Sequence, residues 1–160
     1  CSGKFIQAAA AALSNKTPRG NHVRRVDICQ SGELLFEGPG ATEALSRAVS
    51  HNLETLAPGK CRYGFLLTEK GGVLDDGIIY RFGPDSFMAV VNAACAPGDL
   101  ATLRARLPES SRITDISAET GKVDLQGPDS LDVLEKIMGE KFHDRGYFSF
   151  PEHILALDAA

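Results

Sequence analysis

In "LTEKGGVLDDGIIYRF", residues 67–82, two adjacent acids interrupt residues typical of a buried strand. Val, Ile, Tyr and Phe favour a half-buried pleated surface, whereas Asp is depleted there. A carboxylate taken out of water without partners is strongly destabilising or shifts its pKa. Asp75 and Asp76 therefore need specific surroundings, which the neighbouring elements have to supply.

Turn residues on both sides of the two acids predict three consecutive strands. We expect strands at 61–68, 73–82 and 87–92. Residues 69–72 form the first connection, and its glycines can adopt the positive φ of a hairpin turn. Residues 83–86, "GPDS", form the second. This pattern predicts an antiparallel meander with the acids in its middle strand.

Two segments superpose without gaps, "GELLFEGPGATEALSRAVS" (32–50) and "GKVDLQGPDSLDVLEKIMG" (121–139). Each indicates a strand, a Gly-Pro break and an amphipathic helix, because Pro neither donates to a strand ladder nor fits inside a helix. The first helix is predicted to reach about residue 54, and we expect another helix at 98–107 and a strand at 112–117. The predicted fold class is α+β, a mainly antiparallel sheet with helices on one face and two strand–Gly-Pro–helix repeats.

Composition indicates an ordinary globular domain. The chain has 160 residues, 43% apolar and 24% charged, which argues against disorder. Its formal net charge of −4 gives no electrostatic reason to expect nucleic acid. No apolar run approaches the roughly twenty residues of a membrane span. We therefore expect the protein to bind neither nucleic acid nor a membrane. We interpret the Ala-rich start, residues 1–20, as a short surface helix rather than a signal peptide.

The cysteines and histidines are widely spaced and form no pattern typical of metal ligands. We therefore predict no metal site, and interpret the cysteines as buried thiols in a reducing, cytoplasmic compartment. The positions concerned are Cys1, Cys29, Cys61, Cys95, His22, His51, His143 and His153.

Strand alternation separates the two acids. The period of two puts Asp76 on one face with Ile78 and Tyr80, and Asp75 on the other face with Gly77. The acids are therefore not a face-to-face pair, and we expect no shared proton between them. Gly77 leaves room for a ligand or for another backbone to come close. Alternatively, both acids cap a bulge or protect an edge strand from aggregation.

A longer stretch, "LAPGKCRYGFLLTEKGGVLDDGIIYRFGPDSFMAVVNAA" (56–94), resembles the aminomethyltransferase (glycine-cleavage T-protein) family. The residues that carry the resemblance are G-G-V-L-D-D, the following Y-R and V-V-N-A. The similarity covers roughly residues 25–150, from "DICQSGELLFEGP" to "YFSF". It implies a divergent N-terminal segment at 1–24 and a partial folate-binding aminomethyltransferase-like domain at 25–160.

The resemblance also implies a site and a reaction. Asp76 matches the catalytic acid that reaches the reactive part of tetrahydrofolate, and the folate pocket is lined by Tyr63, Tyr80, Asn92 and Tyr147. Family members transfer an aminomethyl group from a lipoyl carrier protein to tetrahydrofolate in glycine catabolism. Asp75 is expected to be structural, with backbone or cationic partners. A carboxylate beside the folate nitrogens can orient the nucleophile and take up a proton.

The sequence departs from the family pattern at several places. Gln30-Ser31 replaces the usual His-Met, and the chain ends before the later pterin-binding segment and the C-terminal domain. We therefore expect the N-terminal part of a transferase, or a chain that completes its sheet as a homo-oligomer. The alternatives are a non-catalytic folate-binding module related to iron–sulfur maintenance proteins and the folate domain of a sarcosine- or dimethylglycine-type enzyme. A third alternative is an assembly domain in which the two acids are vestigial.

Overall fold

The computed structural model describes three ranges of the chain, residues 5–10, 24–27 and 31–150. Within them the chain forms two compact units. Of the described residues, the smaller unit comprises 5–10, 24–27 and 119–147, and the larger unit comprises 31–118 and 148–150. The domain boundary expected at residue 24 stays a prediction.

The described residues form strands, α-helices and one 3₁₀ turn, Ser117–Glu119. The strands are β1 (Phe5–Ala10), β2 (Arg24–Asp27), β3 (Ser31–Glu37), β4 (Lys60–Leu67), β5 (Val73–Gly83), β6 (Ser86–Asn92), β7 (Arg112–Asp115) and β8 (Thr120–Gln126). The helices are α1 (Ala41–Ala48), α2 (Ala96–Arg104) and α3 (Ser130–Met138). None of these helices is long and apolar enough to cross a membrane.

The larger unit is built on a five-stranded antiparallel sheet with strand order β4-β5-β6-β3-β7. Strands β4, β5 and β6 are neighbours in both sequence and space, which confirms the predicted meander. The turn between β4 and β5 has the expected glycine geometry, since Gly71 has φ +80 and Thr68 N donates to Gly72 O at 2.7 Å. This hairpin brings the two acids to one end of the sheet.

One face of this sheet carries the hydrophobic core together with α1 and α2, so both helices of the unit cover the same face. Burying a large apolar side chain contributes about 1.5–3 kcal/mol, and this cluster is the main source of stability. Its most buried large residues are Phe36, Phe87, Leu34, Leu45 and Leu53. The opposite face has a smaller buried cluster of Tyr80, Met88 and Val90.

Helix α1 ends well before residue 54, where its apolar spacing predicted the end. Val49 is extended, with φ −116 and ψ 158, and it bridges to Leu66 of β4. Ser50 N then donates to Phe65 O at 2.9 Å. The helix stops because pairing with β4 replaces the next helical hydrogen bonds, a long-range contact that sequence spacing does not show.

The smaller unit has a three-stranded sheet of order β1-β8-β2, in which β1 is parallel and β2 antiparallel to β8. The helix expected in the Ala-rich start is wrong for Phe5–Ala10, which forms β1. Phe5 pairs with Thr120, and the register continues to Ala10 opposite Leu125. Strand pairing overrides the helix propensity of alanine, because intrinsic propensities are small compared with the effect of long-range contacts. Residues 1–4 and 11–20 lie outside the described ranges.

Each unit contains one of the two superposable segments. In the larger unit β3 leads through Gly38-Pro39-Gly40 into α1, and in the smaller unit β8 leads through Gly127-Pro128-Asp129 into α3. Their sheets differ, because β3 has two antiparallel neighbours and β8 has one parallel and one antiparallel neighbour. The elements agree with the sequence pattern, whereas a repeat relationship stays a prediction.

Arg81 connects the meander to the loop after α1. Its Nη1 donates to Leu53 O at 3.0 Å and to Leu56 O at 2.7 Å. Its Nε donates to Gly83 O at 3.0 Å and its Nη2 to Pro84 O at 2.9 Å. The planar guanidinium can serve all these carbonyls at once, which the single ammonium of lysine cannot do.

We expect Arg81→Met to destabilise the protein by about 2–4 kcal/mol, because several backbone carbonyls lose a charged donor. Urea unfolding followed by circular dichroism measures the change. Arg104→Met, at an exposed position ending α2, is the matched control and should change the free energy of unfolding by less than about 0.5 kcal/mol. Equal unfolding midpoints for the two variants would contradict the proposal that the hydrogen bonds of Arg81 to backbone carbonyls stabilise the fold.

Candidate functional site

A β-bulge lies directly before the two acids. Leu66 pairs with Asp75, but Leu67 pairs with Val73, so Leu74 is an extra residue in β5. Val73 and Leu74 are both exposed, which departs from the strict alternation that the sequence predicts. Bulges bend a strand locally and re-aim the side chains beside them. Here the irregularity sets the position of the acids relative to β4.

The two acids have opposite environments, as strand alternation predicts. The side chain of Asp75 is only 6% exposed and lies among elements of the helix-covered face, whereas Asp76 is exposed. Asp76 pairs with Phe65 of β4 and shares its face with Tyr63. The structure therefore separates a buried acid from an adjacent exposed acid, and their roles need separate explanations.

Asp76 is held by two hydrogen bonds from neighbouring strands. Tyr63 Oη donates to Asp76 Oδ2 at 2.9 Å, and Asn92 Nδ2 donates to Asp76 Oδ1 at 3.2 Å. The hydrogen bond to Asp76 raises the pKa of Tyr63, so the phenol remains a donor at neutral pH. Phe65 packs edge-on against Tyr63, with ring centroids 5.8 Å apart. The result is an oriented carboxylate on an exposed, aromatic surface.

Asp75 is satisfied by the end of β6. Asn92 N donates to Asp75 Oδ2 at 3.0 Å, and Asn92 Nδ2 donates to Asp75 Oδ1 at 2.7 Å. Burial alone would raise the pKa of Asp75, but its hydrogen bonds with Asn92, with the backbone N–H of Asp76 and with a second carboxyl together hold the pKa below its usual value. Asp75 thus has the backbone partner that we expected. Its other hydrogen-bond partners include a side-chain amide and a second carboxyl, rather than a cation. Asn92 therefore contacts both acids.

That second carboxyl is Asp99, in the first turn of α2, and sequence reasoning missed it. Asp99 is buried and hydrogen-bonded to Asp75. Burial raises its pKa to about 7, and the hydrogen bond and negative charge of Asp75 add to the effect. An acid in the first turn of a helix is normally explained by the helix dipole, so the sequence offered no signal of this contact.

The other two predicted site residues, Tyr80 and Tyr147, differ in their surroundings. Tyr80 shares the strand face of Asp76 but is only 4% exposed, and its ring packs edge-on against Phe150 at 5.2 Å. Tyr147 belongs to the smaller unit and its side chain is exposed. Their roles in a ligand pocket stay predictions.

Gly77 follows the acids because of the backbone of β6. A Cβ at this position would lie 2.4 Å from Val90 O, which no side chain tolerates. Of the two explanations for this glycine, a close ligand or a close backbone, the structure shows the backbone. Close approach of β5 and β6 also keeps Asp75 within reach of Asn92.

A small cavity lies on the helix-covered side of the acids. Its volume is about 20 Å³, and its lining includes His51, Gly64 and Asp76. This space fits about one water molecule. A drug-sized or cofactor-sized ligand needs a pocket of roughly 300 Å³ or more. A ligand of that size does not fit in this cavity.

The family profile described as "GCVT N-terminal domain" matches residues 8–156 of this chain. The chain belongs to the GCVT N-terminal domain family. The predicted family is therefore confirmed, and the match begins inside the segment that was expected to be divergent.

Curated relatives and a solved structure agree on this assignment. The chain is 36% identical over 129 residues to an aminomethyltransferase of Shouchella clausii, covering 81% of this chain and 35% of that protein. It is 37% identical over 145 residues to one of Parasynechococcus marenigrum, covering 87% and 39%. The crystal structure of glycine cleavage system aminomethyltransferase T from Bartonella henselae superposes with a TM-score of 0.72 at 32% identity, covering 80% and 35%.

This GCVT N-terminal domain thus spans a little over a third of the length of these relatives. It is aminomethyltransferase-like and corresponds to their N-terminal part. The described fold is mixed α and β with an antiparallel sheet, and it superposes on that solved structure.

In the smaller unit, Asp132, Glu135 and His143 have ligand-type atoms within 4.8 Å of one another. His143 Nε2 lies 2.8 Å from Asp132 Oδ1, and Glu135 accepts a hydrogen bond from His143 N at 3.0 Å. The hydrogen bond to Asp132 raises the pKa of His143. These contacts explain the cluster without a metal ion. The absence of a metal site stays a prediction.

We expect Asp75→Asn to destabilise the protein by about 2–4 kcal/mol at neutral pH, because an amide cannot accept both N–H groups of Asn92 as a carboxylate does. Urea unfolding measures the change, and Asp76→Asn, at the exposed acid, is the matched control with an expected loss below about 1 kcal/mol.

The acid dependence of this difference has a definite sign. The folded pKa of Asp75 is lowered, so its stabilisation is present above the unfolded value of about 3.9. It is lost as pH falls through the folded pKa. The gap between wild type and Asp75→Asn should therefore narrow in acid. A larger loss of stability from Asp76→Asn than from Asp75→Asn would contradict the assignment of faces.

Proposed function

We propose that this domain binds tetrahydrofolate and forms the N-terminal part of an aminomethyltransferase that acts in glycine catabolism and one-carbon metabolism. The observation that carries the proposal is the Asp76 carboxylate, whose two oxygens are held by Tyr63 and Asn92 on an exposed face. Family membership supports the same function, because the relatives are aminomethyltransferases.

The residues around Asp76 fit a pterin chemically. A flat heterocycle with a polar edge requires aromatic faces and a few placed donors and acceptors. Tyr63 is 49% exposed and Phe65 is 40% exposed, so both rings have surface available for a ligand. Asp76 accepts N–H groups, and the amide of Asn92 has an oxygen that can accept another.

Bound tetrahydrofolate would supply the nitrogen nucleophiles that take up the one-carbon unit. Asp76 would orient the ligand through its N–H groups and accept a proton at a carboxylate oxygen. Because Tyr63 and Asn92 fix this carboxylate before any ligand arrives, little reorganisation is needed on binding. The carboxylate also favours a cation that develops beside it.

The resemblance implies the donor and further contacts, and the spacing of the cysteines indicates the location. We propose that the aminomethyl group arrives on a lipoyl carrier protein, that Tyr80 and Tyr147 contribute to the complete folate site, and that the protein acts in the cytoplasm. We also propose that the segments at 32–50 and 121–139 are structural repeats. Their matching order of strand, Gly-Pro break and helix supports this relationship.

We expect the protein to bind tetrahydrofolate and Asp76→Asn to weaken binding by at least about tenfold, since a hydrogen bond to a charged group contributes about 1.5–3 kcal/mol. Anaerobic isothermal titration calorimetry measures both affinities. Tyr63→Phe should weaken binding less, because Asp76 keeps its charge and its hydrogen bond from Asn92.

Glu109→Gln is the matched control, because it also neutralises an exposed carboxylate of the larger unit outside the site. It should bind like wild type. Circular dichroism must show folded protein for each variant. Equal affinities for wild type and Asp76→Asn, or no binding by folded wild type, would reject the proposed folate site in this chain.

A further inference from the structure

Asp99 is a buried carboxyl that the proposed folate site leaves unused. Its side chain is 4% exposed, and its Oδ2 atom receives no hydrogen bond from an N–H or O–H donor among the described residues. An ionised oxygen in that position would lack the donors that a buried charge requires. A proton on Asp99 removes the charge and makes the group a hydrogen-bond donor.

Asp75, the neighbour of Asp99, is held in its ionised form by other hydrogen bonds. Asp75 accepts two N–H groups of Asn92, at 3.0 and 2.7 Å, and both bonds favour its ionised form. Two neighbouring carboxyl groups can form a hydrogen bond with each other only if one of them carries a proton and acts as the donor. The asymmetry of partners places that proton on Asp99, which then donates to Asp75.

We propose that Asp99 and Asp75 share one proton and that this acid pair positions Asn92, and through Asn92 the exposed acid Asp76. Asp99 is thus a positioning residue in α2, and release of its proton loosens the site. The link to Asp76 is direct, since Asn92 Nδ2 lies 2.7 Å from Asp75 Oδ1 and 3.2 Å from Asp76 Oδ1. Its consequence for ligand binding rests on the proposed folate function.

Other groups that face the pair agree with this proton assignment. Cys95, just before α2, is hydrogen-bonded to Asp75, and burial followed by the charges of Asp75 and Asp99 raises the pKa of its thiol. Asp76 adds another negative charge from β5. The N-terminal end of α2 favours an anion, but burial beside Asp75 outweighs it, and the pKa of Asp99 is raised to about 7.

The pH dependence follows from the direction of this shift. The folded protein keeps the proton of Asp99 above the unfolded pKa of about 3.9, where the unfolded chain has lost it. The stabilisation is complete below that value and is lost as pH rises to about 7. Above that pH the proton of Asp99 has been released to solvent, and the buried carboxylates of Asp75 and Asp99 repel each other.

The first experiment needs no ligand. Carbon-13 NMR follows the carboxyl carbons of Asp75 and Asp99, and nitrogen-15 NMR follows the side-chain amide of Asn92, across pH 4 to 9. We expect Asp99 to titrate near pH 7 and the Asn92 amide to shift with the same midpoint. Asp99→Asn keeps a donor but cannot titrate, so it should abolish the Asn92 shift, whereas Glu109→Gln should retain it.

Two results would overturn the proposal. Titration of Asp99 below pH 5 in folded wild type would show that it carries no shared proton at neutral pH, and this result needs no variant to fold. An Asn92 amide shift that persists unchanged in folded Asp99→Asn would show that the pair does not position Asn92.

The second experiment measures the consequence for the ligand. Calorimetric affinity for tetrahydrofolate at pH 6 and pH 8 should fall in wild type by about fivefold or more, the lower range for coupled sites. Asp99→Asn should lose this difference, while changes from the ligand's own titration remain in both proteins. An equal pH dependence in both proteins overturns the coupling to the ligand. Absence of binding in both rejects the proposed function instead, and the NMR titration still decides the acid pair.

Discussion

The buried carboxylate of Asp75 is the constraint on which the arrangement of the site depends. A charge at 6% exposure is tolerable only with donors on its oxygens, and Asn92 supplies two of them. Those bonds fix the end of β6 relative to the start of β5, and the contact of Asp99 with Asp75 brings the first turn of α2 to the same point. The two adjacent acids therefore comprise one internal anchor and one exposed group.

Rigid neighbours hold the exposed acid. Tyr63 is on β4 and Asn92 ends β6, so Asp76 is held between the two strands that flank its own. Gly77 allows the backbones of β5 and β6 to approach closely enough for these contacts. Sites supported by strands keep their geometry better than sites on loops. The carboxylate is therefore oriented by the sheet, and a ligand does not have to order it.

Local signals in the sequence predicted the meander, the Gly71 turn and the opposite faces of the acids, because alternation and turn chemistry act over a few residues. Three features depended on contacts between distant segments and were missed or wrong. Pairing with β4 ends α1 at Ala48, and pairing with β8 makes Phe5–Ala10 a strand. Packing of α2 on the sheet brings Asp99 to Asp75. Tyr63, Asp76 and Asn92 came from family resemblance; the structure adds their mutual contacts.

Stability alone does not explain an acid pair in this position. Replacing buried ionic groups by apolar residues of similar volume is often neutral or stabilising. An apolar residue in place of Asp75 would, however, leave the backbone and side-chain N–H groups of Asn92 without their acceptor. The amide of Asn92, which donates to Asp76 Oδ1 at 3.2 Å, would then lose the two bonds that fix it from the buried side. The charge at Asp75 is best explained by the need to orient Asn92, and the proton on Asp99 by the need to keep that charge single.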